Sequence, residues 1–240
     1  HVRVADDGIA VFAQDLPGHG RTAGIQGHFA DHNGWRLALD AIAGVRAELD
    51  QRYPDLPRFM LGHSMGAFLM QHFIVEQGEG LSGVVLSATT GDVGPMRGIG
   101  LGLLAIEKAL RGPRAASRLG GLLGFSAFNK VFAPNRSDFD WLSRDEAEVD
   151  AYIADPLCGF ACTTALWSDL LRACAGLSAP ARLARVPNSL PLLLVAGEAD
   201  PVCKGAQGPT RLAEAYRAAG MQQVALRTWP GARHELLNES

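Results

Sequence analysis

The 240-residue sequence contains no run of 18 apolar residues, and its most apolar stretch, Gly98–Ile106, stops at Glu107 and Lys108. A membrane-spanning helix is thereby excluded, whereas a helix that lies on a lipid surface is not. A strong charge of either sign is also lacking. The balance of 22 Lys and Arg against 25 Asp and Glu leaves −3, without the basic face that a nucleic-acid binder carries. Cysteine is scarce: Cys158, Cys162, Cys174 and Cys203 form no CxxC pair and have no histidine at zinc-finger spacing. Neither a metal site nor a disulfide framework is expected, and the four read as reduced, partly buried thiols. Lysine is scarcer still, since only Lys108, Lys130 and Lys204 interrupt a basic set that is otherwise arginine, a compositional bias rather than a site. Low-complexity tracts, blocks of like charge and internal repeats are absent, which excludes extended disorder and a solenoid. So are an initiator methionine at His1 and a signal-peptide pattern after it, and Ser240 falls within a polar stretch. On that reading the chain is expected to be a piece of a longer protein, cut at both ends.

What is present is a chain 48% apolar, ample for a real core. Short apolar runs alternate with helical patterns. Strands are predicted at Ile9–Ala13, Arg58–Leu61, Gly83–Ala88, Leu192–Ala196 and Val224–Trp229, and helices at Gly34–Tyr53, Met65–Gln77 and Thr210–Ala219. Uniformly apolar strands separated by helices imply an α/β fold whose mostly parallel sheet is covered on both faces. Between Asp92 and Pro187 the rhythm breaks into Gly- and Pro-punctuated helical patches without a clear strand, the mark of an insertion. The expected division is residues 1–92 as the first part of a core, 93–186 as a helical insertion and 187–240 as the second part.

Gly62-His63-Ser64-Met65-Gly66 matches G-x-S-x-G, with a predicted strand directly before it and a helix directly after. That context is what a nucleophile elbow needs: a sharp turn exposes the serine oxygen in a strained conformation. The flanking glycines allow strand and helix to approach, and the Met65 backbone N–H, at the helix start, is placed to donate to a developing oxyanion. A serine hydroxyl needs a base and a group that orients the base. His234, on a loop after the last strand, is the best base. His63 should point away from the turn, His19, His28 and His32 lie in or near early loops, and His72 is mid-helix. Asp200, just past the strand Leu192–Ala196, is the first choice of orienting acid, because the order Ser64, Asp200, His234 is that of α/β-hydrolases. Asp92 and Glu198 are rivals for that role. Asp15 precedes the nucleophile and reads as a turn residue.

The segments Asp15–Thr22 (DLPGHGRT), Gly62–Gly66, Gly197–Val202 and Gly231–Glu239 (GARHELLNE) together resemble the α/β-hydrolases of the monoacylglycerol lipase, lysophospholipase and serine aminopeptidase group. Phe139–Asp145 and Asp155–Phe160 resemble bacterial members labelled lysophospholipases. The resemblance covers nearly the whole chain and implies Ser64, Asp200 and His234 as a catalytic triad, the insertion as a lid, and no cofactor or metal. It also implies a His-Gly loop upstream of the first helix that supplies a second oxyanion donor. No such loop precedes Asp15, so N-terminal strands and that donor are expected to be missing. The 240-residue piece is accordingly expected to be poorly soluble and at least about 100-fold slower than a parent that carries the loop.

The insertion is rich in large apolar residues, among them Leu101, Leu103, Leu104, Ile106, Leu119, Leu122, Leu123, Phe125, Phe128, Val131 and Phe132, which suits an acyl-chain tunnel. Arg97, Arg111, Arg114 and Arg118 are candidates to meet a lipid headgroup or anionic surface. The function expected is hydrolysis of a carboxylic ester, a monoacyl lipid (lysophospholipid or monoacylglycerol), through an acyl-enzyme. Amide or peptide cleavage by the same group and an inactive hydrolase scaffold are the alternatives. The expected partners are a small lipid-like ester and, through the lid, a transient membrane surface, with no nucleic acid; the expected setting is cytoplasmic, peripheral at a membrane.

Overall fold

A computed structural model describes residues 8–91, 93–94 and 96–239. In chain order the elements are α1 (Gly34–Arg52), β1 (Phe59–His63), α2 (Met65–Gln77), β2 (Gly83–Ser87), α3 (Met96–Arg111), α4 (Arg118–Gly121), α5 (Ala127–Lys130), α6 (Glu146–Ala154), α7 (Thr164–Ala173), α8 (Pro180–Leu183), β3 (Leu192–Gly197), α9 (Gln207–Ala218) and β4 (Val224–Trp229). The strands form one parallel sheet in the order β1-β2-β3-β4, with Phe59 opposite Gly83, Val84 opposite Leu192 and Leu192 opposite Val224. All four therefore end on the same edge, where an open α/β sheet holds its ligands.

The core follows from the apolar pattern. Helix α2 has Ala67 through Val75 buried except His72, and a helix apolar all round has to be enclosed. Helix α1 contributes Trp35, Ala38, Leu39 and Ile42 from one stripe. The central strands β2 and β3 are largely buried, with Leu86 and Leu194 fully so. The outer strands are not: β4 alternates between half-buried and exposed, and β1 leaves Phe59 and Leu61 open. Burial on both faces thus holds for strands with two neighbours and fails at the edges.

One predicted strand is absent. Ile9–Ala13 is irregular, with Ile9, Val11 and Phe12 exposed and the Phe12 ring 5.7 Å from that of Tyr53. An apolar run becomes a strand only when a neighbouring strand accepts its hydrogen bonds, and among the described residues no strand pairs with it. Between β2 and β3 the described residues form helices and turns, with one isolated bridge joining Ala116 to Thr163. Ser117, Asp145 and Thr163 cap α4, α6 and α7 with their side chains.

Candidate active site

Ser64 stands between β1 and α2 with φ 52° and ψ −118°, a region that costs a non-glycine residue about 1–3 kcal/mol. Its backbone N–H is held by the Ser87 carbonyl at 2.9 Å, and its carbonyl accepts from Ala67 and Phe68. The hydroxyl does not cap the helix it begins, so the oxygen is free for another role. Gly62 is required sterically: a Cβ there would lie 2.5 Å from the Gly66 carbonyl oxygen and 2.7 Å from Met70 Cγ. Gly66 is different, because a Cβ on it would meet nothing. The close approach thus depends on the first glycine alone. The Met65 N–H, in the first turn of α2, has no carbonyl one turn back to bond.

Asp200 and His234 are brought together at the same sheet edge. His234 Nδ1 donates to Asp200 Oδ2 at 2.9 Å, and both residues are almost fully buried. An ionised carboxylate only accepts, so the proton sits on Nδ1 and Nε2 is left as the acceptor. Asp200 Oδ1 takes the Val202 N–H at 2.8 Å, and Oδ2 also takes the Cys203 thiol at 3.1 Å. Burial alone would raise the Asp200 pKa, but the His234 contact and these donors outweigh it and hold the carboxyl below its usual range. Burial and the carboxylate push the Cys203 thiol well above its ordinary value, so it acts as a donor and not a nucleophile. The pairing of the Asp200 and His234 loops depends on Gly197, where a Cβ would lie 2.2 Å from the carbonyl oxygens of Ala232 and Arg233. Ala199 N–H reaches the Ala232 carbonyl at 2.9 Å.

His63, the residue before Ser64, meets this pair. The His63 ring lies 4.8 Å from the His234 ring and its Nδ1 is 3.1 Å from Ser87 Oγ, so it points into the site, contrary to the sequence expectation. Burial is the main cause of a His63 pKa of about 3, with His234 adding to it. Among the described residues no hydrogen bond joins Ser64 to His234. The rival Glu198 is exposed and accepts from Thr228 Oγ1 at 2.8 Å, while Asp92 lies outside the described residues. Asp15 organises its turn by accepting the Arg21 N–H at 2.9 Å. His19, His28 and His72 bond Pro17, Thr163 and Ala173 respectively.

Three contacts had little or no sequence signal. Cys203 follows Asp200 by three residues, and nothing in a lone cysteine reveals that it bonds that carboxylate. Trp141, from the stretch between β2 and β3, packs 4.9 Å from the His234 ring. Arg233 donates to the Asp140 and Ser143 carbonyls. A charged cleft of about 480 Å³ lined by Arg36, Glu76, Lys108, Asp169 and others lies apart and includes none of Ser64, Asp200 or His234. Among the described residues no cluster of His, Cys, Asp and Glu is arranged to hold a metal.

Comparison with known proteins places this arrangement in a family. Residues 2–240 match the family model described as serine aminopeptidase, S33. The chain is 32% identical to a monoglyceride lipase of Mus musculus over 240 residues, covering 96% of this chain and 68% of that protein. It is 32% identical to a monoacylglycerol lipase of Mycolicibacterium smegmatis over 234 residues, covering 97% and 73%. Among solved structures, a thermostable carboxyl esterase from Bacillus coagulans in complex with glycerol superposes with a TM-score of 0.82 at 27% identity, over 93% of this chain and 73% of that one. The chain belongs to the serine aminopeptidase S33 family, within the α/β-hydrolases of the monoacylglycerol lipase and lysophospholipase group.

Proposed function

We propose that this ester-cleaving hydrolase acts on monoacyl lipids, lysophospholipids or monoacylglycerols, through a Ser64 acyl-enzyme. Ser64 Oγ attacks the ester carbonyl while His234 Nε2 takes its proton. The Met65 N–H donates to the tetrahedral oxyanion, and His234 returns the proton to the leaving alcohol. Water then enters, gives a proton to His234 and attacks the acyl carbon, which releases the fatty acid and restores Ser64. Asp200 holds His234 in the tautomer this sequence needs. One observation carries the reading: a strained serine whose hydroxyl caps nothing stands at the sheet edge where Asp200 and His234 are joined at 2.9 Å.

Residues 93–186 serve in this reading as a lid, and their apolar residues support a lipid substrate in an unexpected way. Of the side chains expected to line a tunnel, Leu104 is buried, whereas Leu103, Ile106, Leu122, Leu123 and Val131 are exposed. Along α3, Met96, Ile99, Leu103, Ile106 and Leu110 recur every three or four residues and all face water. That stripe fits contact with an aggregated lipid more readily than an enclosed channel. Two of the arginines are already committed, Arg111 to Glu107 and Arg114 to Asp31, each at 2.8 Å, which leaves Arg97 and Arg118 as candidates for headgroups. No helix among the described residues is long and apolar enough to cross a membrane.

The family description favours a second reading, amide cleavage. Labelling with a fluorophosphonate probe, followed by turnover of monoacylglycerols, lysophospholipids and aminoacyl amides, separates the readings. Labelling with preferred turnover of a monoacyl ester is expected. Preferred amide turnover overturns the substrate, and absence of labelling overturns the nucleophile.

A further inference from the structure

The loop that carries His234 is fastened to a strip of the insertion, Asp140–Arg144, along its whole length. The Trp141 carbonyl accepts the His234 N–H at 3.4 Å and the Leu142 carbonyl accepts the Glu235 N–H at 2.7 Å. The Arg233 guanidinium donates to the carbonyls of Asp140 and Ser143, and the Ser143 hydroxyl donates to the Asn238 carbonyl at 2.7 Å. Glu239 closes the far end. Its side chain is 7% exposed, and its carboxylate accepts the Arg233 N–H at 2.8 Å, the Arg144 N–H at 3.2 Å and the Arg144 guanidinium at 2.5 Å. On the ring itself, the Trp141 indole lies 4.9 Å from the imidazole at an angle of 38°, backed by Phe125 at 5.7 Å and Phe128 at 5.4 Å.

Asp200 alone cannot set the direction of Nε2. A single hydrogen bond at Nδ1 leaves the imidazole free to rock about the Nδ1···Oδ2 line, and a proton-transfer group has to be held within a fraction of an ångström. His63 lies against the ring at 4.8 Å, and further constraints come from the segment 140–144 and Glu239: the carbonyls of Trp141 and Leu142 hold the backbone, the indole limits the ring, and Glu239 ties the two segments through Arg144 and Arg233. We infer that Glu239 and Trp141 are positioning residues for His234, so that part of the insertion orients the base and only the remainder is available to move as a lid. The inference rests on reading His234 as the general base.

The test measures kcat and KM for a soluble short-chain ester and the rate of fluorophosphonate labelling. All are expressed per titrated active site, with the thermal midpoint recorded alongside. Glu239→Ala and Trp141→Ala are each expected to lower kcat and the labelling rate at least about tenfold, with KM within about twofold, because misplacement by an ångström costs that much or more. Glu239→Gln, which keeps an accepting oxygen, and Trp141→Phe, which keeps a ring, are expected to recover most of the loss. Arg144→Ala, at a side chain 42% exposed, provides the same comparison should Glu239→Ala fail to fold. A lower thermal midpoint with unchanged kcat per active site in these variants overturns the inference, since a merely structural brace would behave that way. His234→Ala separates the two levels. Retained labelling there defeats the base assignment, whereas lost labelling beside an unaffected Glu239→Ala defeats the positioning role alone.

Discussion

Two imidazoles meet at the end of the sheet, and their surroundings divide them. His234 donates to Asp200, while His63, 4.8 Å away, is kept neutral by burial with a pKa of about 3. The unfolded chain binds a proton on His63 below about pH 6.5 that the native state refuses, so stability declines as pH falls through that range. From pH 7 to pH 5 this amounts to about 2 kcal/mol. Urea unfolding at both pH values is expected to show a correspondingly smaller decline in His63→Gln; equal declines would show that His63 titrates normally. In the proposed mechanism, a neutral His63 also adds no positive charge beside an imidazolium forming on His234. For the proposed triad, Ser64→Ala is expected to abolish labelling and cut turnover by several orders of magnitude. Asp200→Asn is expected to be severe, since its amide can favour the wrong tautomer of His234. Glu198→Gln is expected to be mild, because Glu198 is exposed and bonds Thr228. A crippled Glu198→Gln with active Asp200→Asn would reverse the acid assignment in a steady-state assay.

At the scale of elements, the site depends on loops that approach too closely for side chains. Gly197 at the end of β3 leaves no space for a Cβ beneath the Ala232 and Arg233 carbonyls. Gly197→Ala is therefore expected to push the base loop away from Asp200 and to lower labelling at least about tenfold per folded molecule. Gly66→Ala is the control, because the added methyl meets nothing and alanine suits a helix better than glycine. Its thermal midpoint is expected to equal or exceed that of the parent chain. A Gly66→Ala protein as damaged as Gly197→Ala would mean that helix packing at the elbow, and not loop approach, limits the site. The buried Glu107 shows the same economy between β2 and β3. Its carboxylate joins α3 to the start of α4 through the Ser117 hydroxyl and the Arg118 N–H, as well as Arg111 on its own helix.

For the molecule as a whole, the apolar stripe of α3 and the exposed Leu122, Leu123 and Val131 set the expected behaviour at lipid surfaces. Replacing Ile106 and Leu110 together by Asp is expected to weaken co-sedimentation with phosphatidylcholine vesicles at least about tenfold, given the apolar area each residue would bury. Turnover of a soluble ester should stay within about twofold; unchanged vesicle binding would place lipid contact elsewhere. Much of the architecture is legible in the sequence. The runs at 83–88, 192–196 and 224–229, punctuated by glycine and proline, carry the βα alternation in their local composition. The strand–G-x-S-x-G–helix order marks the elbow because the strained turn is itself a local object. The chain order of Asp200 and His234 then follows from loops that leave the same sheet edge. Periodicity, however, reports which residues share a face and not what that face meets. The run Ile9–Ala13 has strand composition but no neighbour to pair with among the described residues, and the apolar stripe of α3 faces water. The contacts of His63 with His234, Cys203 with Asp200, and Trp141 and Glu239 with the base loop join residues chosen by no local pattern. Only tertiary packing decided them, because hydrogen bonds and ring contacts between distant segments depend on where whole elements come to rest.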